Sequence, residues 1–132
     1  MIVVVIIGVL AAIAIPNLIN MQSRAKEASV KSNCHTVQLA SEEWSVMAMG
    51  IYPTDVDTDL TPAGDRLIDL LPRGVQLENA FTKANTEPVN GVAANPGEIG
   101  YAPVINGGIV LSYSITGAGK AGIVVITMTG GQ

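Results

Sequence analysis

The first fifteen residues, "MIVVVIIGVLAAIAI", carry neither a charge nor a polar side chain. No other stretch restricts the possible folds so tightly. A helix apolar on every face needs an apolar surround on every face. Gly8 is the one interruption before Pro16 and the polar residue Asn17. At about 1.5 Å rise per residue the run reaches about 22 Å, short of the hydrocarbon core of a bilayer, about 30 Å. A cleaved secretory signal fits poorly, because Ala11, Ala12 and Ala14 precede isoleucine and proline instead of forming a small-x-small site. The expectation is therefore that the run is cut short at its start or that neighbouring copies of the same chain bury it.

After Pro16 the pattern changes. Residues 17–49 hold no glycine or proline, and Val30, Cys34, Val37, Ser41, Trp44 and Ala48 recur at spacings of three and four. This predicts a helix with one buried stripe, while Arg24, Lys26, Glu27, Lys31, Glu42 and Glu43 fall largely off the stripe. Gly50 and Pro53 are its expected stop signals. "TPAGDRLIDLLPRG" predicts a short helix with Thr61 as cap, Pro62 at the first helical position and Pro72 as terminator. Residues 78–97, rich in Asn, Gly and Pro, read as surface loop. "EIGYAPVI", "GIVLSYSI" and "GIVVITMT" read as three strands of an antiparallel meander, with Ile109, Leu111, Val124 and Ile126 turned toward Trp44. The expected fold is α+β: a long N-terminal helix, apolar then amphipathic, packed on a small C-terminal antiparallel sheet. Its divisions are residues 1–16, 17–50 and 51–132.

Composition narrows the functional classes. The net charge is −4 and the seven basic residues are scattered, so no basic patch speaks for nucleic acid. Cys34 is the single cysteine and His35 the single histidine, and adjacent helical residues point about 100° apart. No catalytic residue or cofactor is therefore assigned. Asp55, Asp57 and Asp59 alternate as in the start of a calcium loop. However, Leu60 replaces the required glycine and Arg66 sits where a bidentate glutamate belongs, so they are weak metal candidates beside the reading as a solvated turn. "TGAGKAG" has Ala121 after Lys120 where a phosphate loop needs Ser or Thr, and it reads as a hairpin loop.

The opening "MIVVVIIGVLAAIAIPN", with Gly8, the "LAAIAIP" block and Pro16, resembles the N-terminal segment of type IV pilins and their pseudopilin relatives. "YSITGAGKAGIVVITMTGG" is similar to the closing hairpin of short bacterial pilin-like proteins. Mature members usually begin a few residues earlier, with an N-methylated phenylalanine and a glutamate within the apolar run. Met1 starts this chain without either, and the expectation is that the first part of the mature protein is missing from it.

The resemblance implies a non-enzymatic subunit of an extracellular type IV pilus-like filament on a prokaryotic cell. It would reside in the inner membrane before assembly, with prepilin peptidase and the pilus assembly machinery as partners, and form a helical homopolymer. Ile2, Val4, Ile7, Leu10, Ile13 and Ile15 would build the filament core. Pro16 has no N–H to donate to Ala12, so a kink or break just before it is expected: either a mildly kinked continuous helix or local unwinding between Gly8 and Pro16 in the filament. Three alternatives stay open: a major pseudopilin of a type II secretion system, a membrane-anchored binding protein, and an electron-conducting fibre. Aromatic residues at 4% supply the last one poorly.

Overall fold

Charge-free and amphipathic sequence together form a single helix, α1, Ile2–Met47, 46 residues long and about 69 Å at the ideal rise. The computed structural model describes residues 1–72 and 76–131. In the single chain neither Gly8 nor Pro16 breaks α1, as in the continuous-helix reading; the local unwinding reading concerns the assembled filament. The helix ends one residue earlier than Gly50 suggests. Ala48 is the C-cap, Met49 takes a left-handed φ of 59°, and Gly50 N–H closes on Ser45 O at 2.8 Å. This is the 6→1 bond of a Schellman ending.

Among the described residues six strands follow: β1 Leu77–Glu78, β2 Asn85–Thr86, β3 Val89–Asn90, β4 Ile99–Asn106, β5 Ile109–Ala118 and β6 Val124–Gly131. The first two form a small antiparallel ladder, and the larger sheet has the order β3-β4-β5-β6. Strands β4, β5 and β6 are the expected antiparallel meander, so the fold is α+β. The β4–β5 connection is two residues, Gly107 and Gly108, both at positive φ (62° and 85°), the backbone that a tight hairpin in a right-twisted sheet needs. Where residues 78–97 suggest surface loop, the chain forms β2 and β3, and β3 pairs in parallel with β4. Pairing rests on long-range backbone bonds that local composition does not reveal.

Two expectations need correction. The short helix does not open at Thr61 and Pro62. Thr61 Oγ1 instead accepts the Asp65 N–H at 3.1 Å within a turn, and a single 3-10 turn spans Leu67–Leu70. Its first residue, Leu67, is buried in the core, and Asp69 Oδ2 accepts the Arg66 N–H at 3.0 Å. Arg73 and Gly74, at the end of that motif, lie outside the described residues. Ile109, Leu111 and Val124 are exposed, and only Ile126 of that set packs partly against the core. The reason is a pair of register shifts. Val104 pairs with Ser112 and Ile105 with Val110, leaving Leu111 unpartnered. A bulge reverses the in–out alternation. Tyr113 and Ile115 face inward as strict alternation requires, but before the bulge Val110 is buried in place of Ile109 and Leu111. A second shift, at Gly117/Ala118, bypasses Val125 and has the same effect on Val124.

Candidate functional site: an exposed apolar helix and its head

The six candidate filament residues lie along the free half of α1, and all are exposed, from 78% at Ile2 to 56% at Ile15. Val3, Val5, Ile6, Val9, Leu18, Ile19 and Met21 are exposed as well, so the apolar surface wraps the helix. This part of α1 is long and apolar enough to cross a membrane, and none of its most apolar window is buried within the chain. Apolar side chains left in water forgo about 1.5–3 kcal/mol each relative to burial. A surface this large marks a site for another apolar phase or another protein.

The second half of α1 docks on the sheet and makes the head. Val30, Cys34, Val37, Ser41 and Trp44 are buried on one stripe, joined by Ala40 and Ser45, with Ala48 partly buried. Close approach occurs at Gly117. A Cβ added there would lie 2.7 Å from Cys34 Sγ and 2.8 Å from Val30 Cγ1. Burial pushes the Cys34 thiol up to about 11, so it is an inert, neutral core group rather than a nucleophile.

Glu42 is a residue that the apolar pattern misses, since it sits beside the stripe. Its carboxylate accepts the hydroxyls of Tyr113 at 2.6 Å and Tyr52 at 2.8 Å. Tyr101 stacks on Tyr113 with ring centroids 5.5 Å apart and donates to Pro53 O at 3.1 Å. Burial raises the pKa of Tyr101 and Tyr113 well above the ordinary phenol value, and the Glu42 charge adds to the effect. The three tyrosines of the chain thus gather at one joint between helix and sheet. Spacing in the sequence carries no sign of it.

The acidic loop is occupied by its own chain. Asp55 Oδ1 accepts the N–H groups of Asp57 and Thr58, which hold its carboxyl below the usual range. Asp55 Oδ2 accepts Asn90 Nδ2. Asp59 Oδ2 accepts the N–H groups of Thr54 and Asp55, and Asp57 pairs with Arg66 at 2.8 Å. Among the described residues no group of three or more His, Cys, Asp and Glu side chains is placed to hold a metal ion. His35 is exposed and contacts Gln38. Lys120 lies in the turn joining β5 to β6, where Gly119 N–H bonds Ile123 O at 2.8 Å.

No family model matches the chain, and no solved structure matches it. The type IV major pilin protein PilA of Myxococcus xanthus (strain DK1622) is 50% identical to it over 44 residues, a stretch that is 33% of this chain and 20% of that protein. The matched region thus spans about a fifth of the relative's length. By that match, and in having a long exposed apolar helix, the chain is similar to a type IV major pilin.

Proposed function

We propose that this chain is the repeating subunit of an extracellular type IV pilus-like filament on a prokaryotic cell, a structural rather than catalytic protein. Before assembly the apolar half of α1 resides in the inner membrane. On assembly Ile2, Val4, Ile7, Leu10, Ile13 and Ile15 pack against the apolar helices of neighbouring copies, and the head faces outward. The observation that carries this reading is the exposed, charge-free helix projecting from a folded head. Identical subunits that meet through different patches, with a rotation that does not close, give an open helical array. The similarity to a major pilin points the same way. Prepilin peptidase and a pilus assembly machine are the partners that this reading requires.

Val4→Asp or Ile7→Lys tests it, because a charge buried unpaired in the core costs several kcal/mol. Both variants are expected to keep a folded head and to form no filament. Normal fibres from either would refute core packing. Within the filament, α1 opens over Val9–Ala14, between Gly8 and Pro16. Electron microscopy at side-chain resolution tests this step. Continuous helical density there, or an unchanged subunit rise in Pro16→Ala, contradicts it.

A further inference from the structure

We propose that the cleft between α1 and the head, walled by Ile19, Phe81, Lys26 and Lys120, binds the phosphate of an anionic phospholipid. The inference rests on the membrane-resident stage proposed above.

The cleft encloses about 160 Å³ and is lined by Ile19, Gln22, Ser23, Lys26, Phe81 and Lys120. Three elements converge there: α1, the turn between β1 and β2 that carries Phe81, and the turn between β5 and β6 that carries Lys120. Its chemistry is two-sided. Ile19 and Phe81 are apolar, while the lysines supply two ammonium groups and Gln22 an amide. The Lys26 ammonium lies 5.6 Å from the Phe81 ring centroid, a cation–π contact that holds it at the cleft. The ion pairs among the described residues use Arg66 and Lys83, with Asp57, Asp69 and Glu78, so Lys26 and Lys120 enter none. No carboxylate lines the cleft; Glu27, the nearest on α1, reaches Gly119 beside it.

Depth selects the ligand. From Ile2 to Ser23 α1 carries no charged side chain, and charges sit where a helix leaves the hydrocarbon core, not within it. With that helix in a bilayer, Arg24 is the first charge to emerge and Lys26 stands at the phosphate level. A phospholipid has an anionic group next to an apolar body, and the cleft places two ammonium groups next to Ile19 and the apolar helix. An acidic surface of another protein would match the charges but not the apolar wall.

The test uses the full chain in nanodiscs of equal phosphatidylcholine and phosphatidylglycerol, with retained lipids counted by native mass spectrometry after release into detergent. Wild-type chain should retain phosphatidylglycerol preferentially. Lys26→Gln and Lys120→Gln should each reduce the preference about fivefold, and Lys31→Gln, at an exposed lysine that does not line the cleft, should leave it unchanged. Equal retention of both lipids by the wild type, or an undiminished preference in the double variant, overturns the site. In phosphatidylcholine nanodiscs, inorganic phosphate should protect Lys120 from acetylation far less than phosphatidylglycerol does; equal protection would make it a free-anion site. Cross-links from Lys26 or Lys120 to carboxylates of neighbouring copies, without lipid preference, would assign the lysines to a subunit contact. A chain that does not insert refutes the membrane stage as well, whereas insertion without preference refutes the site alone.

Discussion

Tyr113 on β5 donates a 2.6 Å hydrogen bond to Glu42 on α1, 71 positions earlier in the chain. Apolar packing of the stripe is non-directional and leaves the helix free to adjust its rotation on the sheet. The shared carboxylate fixes that rotation, since both of its oxygens are engaged, one by Tyr113 and one by Tyr52. Tyr113→Phe should lower head stability by about 1.5–3 kcal/mol, the range for a hydrogen bond to a charged group. Urea unfolding followed by tryptophan fluorescence reads it, and an unchanged midpoint would show that the joint contributes nothing.

Trp44 is 5% exposed, and its Nε1 has no hydrogen-bond partner among the described residues, so packing carries its contribution. Trp44→Ala should cost about 3–5 kcal/mol and leave the apolar half of α1 helical. Circular dichroism during thermal melting separates the two halves. A melting temperature that barely moves would mean that the stripe is not the core.

Two glycines on the path from membrane to sheet should respond oppositely. An added Cβ at Gly117 meets Cys34 and Val30, whereas one at Gly8 meets nothing within 4 Å. Gly117→Ala should therefore cost the head about 1–3 kcal/mol by overpacking, while Gly8→Ala favours the helix by about 1 kcal/mol. Destabilisation by both, measured in detergent, would contradict this account.

Alkali should unfold the head. The Cys34 thiol and the Tyr101 and Tyr113 phenols all have raised pKa values in the folded state, chiefly through burial. The folded state thus holds these protons more tightly than the unfolded one. The associated stability is fully present below the unfolded values and is lost as pH rises above about 9 for the thiol and about 10 for the phenols. Cys34→Ala should flatten the first part of that decline in a pH series of urea melts. A decline unaffected by that change would place its cause elsewhere.

Removal of residues 1–20 should leave a folded α+β head that neither inserts in membranes nor polymerises. The buried residues of α1 begin at Val30, so truncation removes no core contact. Light scattering and circular dichroism test this, and either unfolding or fibre formation by the truncated chain would contradict the division of labour.

Much of this protein is local and could be read along the chain. The charge-free run dictates an exposed apolar helix whatever it meets, and the three- and four-residue spacing from Val30 to Trp44 names the stripe because helical periodicity is a property of neighbours. Strand chemistry located the meander to within a few residues for the same reason. Tertiary structure decided what depends on distant partners. The bulge at Leu111 reversed which side of β5 faces the helix, because register is set by the partner strand. The same holds for β3, whose pairing with β4 no local signal announces. Glu42 became a joint, and Lys26, Phe81 and Lys120 became one cleft, only when the chain closed on itself. Polar side chains well separated in sequence carry no periodicity, so only the folded backbone brings them together.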